Sequence, residues 1–278
     1  MHNMLKRITK SIPFCLALII SLLVVFPVYW LLNTSLQPNE NVFALPPAFI
    51  PGINPITAYA EYIIKSNFFL WFRNAFVVSA CATIISTVVS LPAGFALSKF
   101  HFRGRVLAIF TILFTQMLPG VLLIIPIYII FVRAGLVNTL AGLTIVYIAL
   151  TIPIGVWFLK GFFDSIPNEV MESARLDGCN TMSLLARVMI PLITPGIVAT
   201  ATWTFIIAWD EYLFVYTMID SSNLWTLSVG LSSYIGQFDT PWNQIMSGAV
   251  LTTLPVGILF MFFQRYMVSG LTSGAVKG

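Results

Sequence analysis

The residues best equipped for chemistry in this chain are two adjacent carboxylates, Asp210 and Glu211, set in the apolar run "TWTFIIAWDEYLFVY". Paired carboxylates do acid–base work when they converge on one reacting atom. Neighbours on a helix point about 100° apart instead. The two histidines, His2 and His101, lie far along the chain, so no serine or threonine of the apolar runs has a base beside it. Three cysteines, Cys15, Cys81 and Cys179, are scattered, which implies neither a metal site nor a disulfide framework. The phosphate-cradling GxxxxGK[ST] loop is absent. The chain therefore reads as a non-enzyme, with no catalytic residue and no metal ligand.

A second group of charges stands out for its density. Only 9% of the chain is charged, yet Glu169, Glu172, Arg175 and Asp177 crowd into "EVMESARLDG". Pro167-Asn168 opens a helix there, with Asn168 as a possible cap and Glu169 in the first turn, where a carboxylate complements the macrodipole. Gly178 closes it, as a residue free to turn left-handed. A helix of about nine residues is unstable alone in water and must dock on something. Val170, Met171, Ala174 and Leu176 offer an apolar side; Glu169, Glu172 and Asp177 offer a polar one. A second short helix, "TMSLLARVM", stops before Pro191. An amphipathic pair on anionic lipid is disfavoured, because three acids outnumber Arg175 and Arg187. A protein partner fits this face better.

The elements that must position these groups are membrane spans. The hydrophobic fraction is 58% and the mean hydropathy +0.93, well above a soluble domain, where apolar residues make up about half. Six stretches are long enough to cross a hydrocarbon core as helices, near 12–32, 72–98, 106–131, 139–159, 196–218 and 244–264. Residues 1–11 form an N-terminal tail, and 12–278 a single transmembrane domain. The first span is retained, since its bulky end "VVFPVYWLLN" lacks a small-residue cleavage site.

Orientation follows from the basic residues. With the N-terminus inside, one side carries Lys6, Arg7, Lys10, Lys99, Arg103, Arg105, Lys160, Arg175, Arg187, Arg265 and Lys277. The other carries only Lys65, Arg73 and Arg133. Both termini and the charged loop are thus cytoplasmic. The +4 net charge is a topology signal, not a nucleic-acid footprint.

Outside, Pro38, Pro46, Pro47, Pro51 and Pro55 forbid a regular helix through the first half of 33–70, and Thr57 offers a cap for a short one after it. Trp225, Tyr234, Phe238 and Trp242 suit the outer interface. Within the spans, Ser79, Thr83, Thr87, Ser90, Gly94 and Ser98 share one face of the second helix and let a neighbour approach closely. Pro92, Pro119, Pro126, Pro153 and Pro255 kink their spans and free carbonyls that must face protein or a wet cavity, which favours a transporter.

Together these motifs resemble a known family. "ESARLDG", with Ile190-Pro191 beginning twelve residues past Gly178, resembles the EAA loop of ATP-binding-cassette importer permeases; Ser173 and Cys179 stand where small alanines are usual. "AGFALSKFHFRGR", "GLVNTLAGLTIVY", "FFDSIPNEVMESARLDG", "AWDEY" and "QRYMVSGLTSGAVKG" are similar, in order, to the maltose-permease branch. The resemblance implies an all-α, six-span MetI-like permease fold and a multi-pass protein of a bacterial-type cell (inner) membrane. Its loop 161–195 would carry the coupling helix, with Glu169, Glu172, Ser173, Ala174, Asp177, Gly178 and Pro191 receiving an ATPase. It further implies a second homologous permease subunit, two ATP-binding cassette subunits that bind ATP and Mg, an extracytoplasmic solute-binding protein, and a sugar or oligosaccharide as cargo. No cofactor falls on this chain.

The intramembrane acids keep two readings. Asp210 and Glu211 fall about 20 Å along the fifth span at 1.5 Å per residue, where acids line a cavity or pair with another group. They could accept sugar hydroxyls, with Trp209 or Tyr212 stacking on the ring, or they could contact the partner permease. Gln116 and Asn74 are polar residues of the same kind, structural or along the substrate pathway. The rival to an ATP-driven importer is an ion-coupled secondary transporter using Asp210 or Glu211; many such folds carry internal repeats, and none is visible here.

Overall fold

Apolar runs of 23 to 32 residues can satisfy their backbone in lipid only as helices or closed barrels, and here they are helical. The computed structural model describes residues 2–51, 57–236 and 239–275, with side chains for 13–51, 57–236 and 239–264. Pro55, Phe238 and Lys277 lie outside the described residues, as do the side chains of His2, Lys6, Arg7, Lys10 and Arg265.

In chain order the helices are α1 (His2–Ser35), α2 (Thr57–Lys65), α3 (Phe68–Lys99), α4 (Arg105–Met117), α5 (Gly120–Arg133), α6 (Leu140–Asp164), α7 (Asn168–Leu176), α8 (Thr181–Ser183), α9 (Ile190–Leu192), α10 (Thr194–Asp210), α11 (Leu213–Met218), α12 (Leu227–Ser232) and α13 (Trp242–Ala275). No strand occurs among the described residues. Pro13–Ser35, α3, α6 and Trp242–Gln264 are long and apolar enough to cross a membrane, and two bent pairs raise the number to six if each counts as one span.

Breaks in the helices correct two expectations. The third span is not one helix: α4 and α5 meet at 101° across Leu118-Pro119. Leu118 is extended, with ψ 123, because the ring of a following proline excludes the helical region. The fifth span is also interrupted. Its helix α10 stops at Asp210, Glu211 is extended (φ −67, ψ 129), and α11 restarts at Leu213.

Pro191 does not stop the second loop helix either. Asn180 caps α8, its Oδ1 accepting from the Ser183 N–H at 2.8 Å. The chain then widens into a π-helical turn over Leu184–Met189, and the Ile190 N–H reaches back to the Leu185 carbonyl. The wider turn accommodates a proline that would otherwise collide with the preceding turn. The backbone then turns by 80° into α10.

The chain divides into two compact units, Met1–Asn67 with Leu231–Leu254, and Phe68–Gly230 with Pro255–Gly278. In the first, Ser35 ties three segments: its Oγ bonds the Tyr59 hydroxyl at 2.8 Å, and its carbonyl accepts from Ser247 Oγ at 3.2 Å. Tyr62 packs on Tyr234, ring centroids 5.2 Å apart.

In the second unit, α3 and α6 approach most closely, and the small-residue face of α3 is the reason. A Cβ on Gly94 would lie 3.0 Å from the Lys160 backbone nitrogen, and one on Gly155 only 2.7 Å from Ser90 Oγ. Ser86 and Thr151 hydroxyls bond across the seam at 2.8 Å. Ser90 and Ser98 bond the Ile152 carbonyl and the Asp164 carboxylate across it, and Ser79 and Thr87 are buried elsewhere on α3. Close packing is what joins helices where lipid is as apolar as leucine.

Candidate functional site

The charged loop is built as a docked helix with one wet face. Pro167 (φ −58, ψ 146) ends the approach and makes no side-chain cap. Asn168 is the first helical residue rather than the cap; its Oδ1 accepts from Lys99 Nζ at 3.2 Å. Glu169 in the first turn and Arg175 in the last both complement the helix dipole.

The far end of α7 is a Schellman motif. Gly178 N–H bonds the Arg175 carbonyl and Cys179 N–H the Ala174 carbonyl, each at 3.0 Å. The motif needs a left-handed residue, and Gly178 supplies it at φ +87.

Met171 and Ala174 are each 8% exposed and join a core with Phe95, Leu159, Phe163, Leu184 and Met189. Val170 is half-buried. Leu176 departs from the expected apolar side: it is 89% exposed. In the last turn of the helix, two residues past Ala174, it rotates off the docked face. Glu169, Glu172, Ser173, Asp177 and Gly178 are exposed, as is Pro191. Met182, 73% exposed, adds a second bare apolar side chain to this charged loop.

The second candidate place is the break in span five. Glu211 there is a helix-capping acid. Its Oε1 accepts from the Phe214 N–H at 2.9 Å, and its Oε2 accepts from the Val215 N–H at 3.3 Å. Tyr147 Oη donates to the same Oε2 at 3.0 Å, and Ser228 Oγ donates to the Glu211 carbonyl at 2.7 Å. A carboxylate facing the positive end of α11 supplies acceptors that an interrupted span would otherwise lack.

The neighbours divide sharply. Trp209 is a core ring, 3% exposed, stacked on Phe205 at 5.6 Å and edge-on to Phe72 at 5.5 Å. Asp210 is exposed. Tyr212 stacks on Tyr216 at 5.5 Å and 20°, and Tyr216 is 64% exposed.

Asn74 is fully buried and donates to the Asn223 and Trp225 carbonyls at 2.9 and 3.0 Å. It straps α3 to the segment before α12. Gln116 is exposed in the last turn of α4, a helix with no buried residue. Among the described residues no hydrogen bond joins Gln116 to the 209–212 group. Tyr147, Tyr216 and Ser228 carry no sequence signal that marks them for this place. Tyr147 lies 64 residues from Glu211 in an uncharged span.

The chain is similar to known proteins over nearly its whole length. Residues 86–273 match the family described as binding-protein-dependent transport system inner membrane component. The diacetylchitobiose uptake system permease protein DasC of Streptomyces coelicolor is 34% identical, over 96% of each chain. The trehalose/maltose transport system permease protein MalG of Thermococcus litoralis is 29% identical over 100% of this chain and 99% of that one. In fold, the chain is similar to a solved bacterial ABC transporter involved in the import of the acidic polysaccharide alginate, with TM-score 0.77, 22% identity, and coverage of 94% and 96%. The chain thus belongs to the family of inner-membrane components of binding-protein-dependent transport systems, as a multi-pass permease subunit of an ABC importer.

Proposed function

We propose that this chain is one of two homologous membrane-spanning subunits through which a sugar or oligosaccharide is imported, driven by ATP hydrolysed on two separate cassette subunits. The cargo class is carried over from relatives named for diacetylchitobiose, trehalose/maltose and maltodextrin. ATP and Mg belong to the partner ATPases, cargo is delivered by an extracytoplasmic binding protein, and both termini are cytoplasmic.

One observation carries the coupling role. A nine-residue helix presents Glu169, Glu172 and Leu176 outward, followed by exposed Asp177 and, on α8, Met182, while Met171 and Ala174 hold it to the spans. Water alone gives no reason to keep Leu176 bare beside acids, and anionic lipid repels them. A cleft on a protein takes both. Glu172, Ser173, Asp177 and Gly178 are the proposed contact, with Pro191 shaping the turn back into α10.

Asp210 and Tyr212, with Tyr216, form the proposed pathway-facing group, since a carboxylate accepts hydroxyl protons and an aromatic face stacks on a sugar ring. Glu211 and Trp209 adjoin that group as its supports, and Asn74 holds the Asn223 and Trp225 carbonyls. Ion coupling through Glu211 is disfavoured by its contacts: three donors already occupy its carboxylate.

The test is the energy source. In proteoliposomes holding the assembled complex, uptake of a labelled oligosaccharide should survive collapse of proton and sodium gradients while ATP is supplied, and should stop with vanadate. Uptake that dies with the gradient and ignores vanadate would sink the proposal.

A further inference from the structure

The start of α7 is held by a cluster of ties that the coupling role alone does not require. Lys99, the last residue of α3, donates from Nζ to the Ile166 carbonyl at 2.6 Å and to Asn168 Oδ1 at 3.2 Å. Ile166 and Pro167 form the connector between α6 and α7. One position earlier on α3, Ser98 Oγ donates to Asp164 Oδ1 at 2.6 Å. The other oxygen of Asp164 is held by Lys160 Nζ at 2.6 Å. Arg105 Nε returns to the Leu97 carbonyl at 2.9 Å, fixing the turn after α3 on the same helix end. Arg175, in the last turn of the loop helix, lies over the Phe100 ring at 5.9 Å, and Phe95 packs on both Phe100 and Phe163 at 5.4 Å.

A three-residue connector, 165–167, would ordinarily be a hinge. Here an ammonium occupies the carbonyl at its centre, and Pro167, with fixed φ, stiffens the entry into α7. Bonds from a charged donor are among the stronger ones. The connector therefore cannot swing without breaking contacts that reach 67 residues along the chain.

We propose that Lys99 is a positioning residue that latches the start of α7 to the end of α3, so that the docked loop and the second span move as one body. The proposal rests on the importer reading above and adds the route of transmission: displacement of α7 by an ATPase would be delivered to α3, and through its tight seam to α6, instead of being absorbed at residues 165–167.

The test uses the full complex purified in mild detergent, with Cys15, Cys81 and Cys179 replaced by serine and nitroxide labels at His101→Cys and Thr181→Cys, both exposed positions. Their separation is measured by pulsed spin resonance without nucleotide and after vanadate trapping with ATP. With Lys99 native, the separation should agree between states to about 2 Å, the size of a packed helix shift. Lys99→Met should keep basal ATP hydrolysis, broaden the separation in the trapped state, and cut stimulation of hydrolysis by the binding protein about tenfold, a magnitude ordinary for coupled sites. Lys99→Arg keeps charge and donors and should restore stimulation to within about twofold.

A native separation that changes by about 5 Å between states would show the connector acting as a hinge and overturn the latch. So would Lys99→Met with native separation and stimulation. Loss of the ATPase from the Lys99→Met complex would assign Lys99 to docking and overturn transmission. A native complex that never hydrolyses ATP fails at the importer reading itself, before the labels are compared.

Discussion

Replacing Gly178 isolates backbone strain at the end of the docked loop helix. The residue sits at φ +87, and a Cβ added there meets nothing within 4 Å. No steric clash therefore contributes, and the cost is the left-handed backbone, about 1–2 kcal/mol for an L-residue. That is about a 5- to 30-fold shift in the population that keeps the helix end closed. A branched side chain lies at the upper end, and asparagine, which tolerates this region, at the lower end. Relief of the strain opens the two 3.0 Å bonds from Gly178 and Cys179 and moves Leu176 and Asp177 off any surface that receives them. The spans are untouched, so membrane insertion should be normal. In the purified complex, ATP hydrolysis stimulated by the binding protein should fall in the order Gly, Asn, Ala, Val, with basal hydrolysis retained. Wild-type stimulation in Gly178→Val would remove coupling from this end of the loop. Equal losses in Asn and Val would show that the left-handed backbone is not the cause.

Glu211→Gln turns one acceptor oxygen into a donor facing N–H or O–H groups, and should lower thermal stability by about 1–3 kcal/mol, the cost of an unmatched buried group. Asp210→Asn, on an exposed side chain, should change stability by no more than about 0.5 kcal/mol while weakening apparent sugar affinity at unchanged basal hydrolysis; melting curves and uptake titrations separate the two, and equal melting shifts would refute the division. Cys179 is half-buried behind Gly178, whereas Cys15 and Cys81 lie on apolar spans, so a charged maleimide, which needs water and thiolate, should label mainly Cys179 in inside-out vesicles stripped of ATPase. Restored ATPase should slow that labelling, and labelling from the outer side would reverse the proposed orientation.

Much of this architecture is written in short-range patterns. Long unbroken apolar runs satisfy their backbone in lipid as helices, and α1, α3, α6 and α13 cover such runs. A charged segment between Pro167 and Gly178 has room for one short helix, and nine residues formed it. The regular spacing of small residues on α3 foretold a close neighbour, and α6 is that neighbour. Signals of this kind act within a turn or two, where propensity, capping and proline sterics operate.

Other features needed partners far along the chain. The continuous fifth span dissolves at Glu211 because Tyr147, 64 residues away, and Ser228, 17 residues on, stabilise a carboxylate and carbonyl that no intact helix would use. Asn168 gives up the capping position because the preceding proline takes it, and Lys99 then engages its side chain. Leu176 is left exposed because only the packed core around Met171 and Ala174 decides which side of α7 is inside. Pro191 stays within helical backbone because a π turn before it makes the space. In each case the local pattern allows more than one outcome of similar energy, and a contact distant in sequence selects between them.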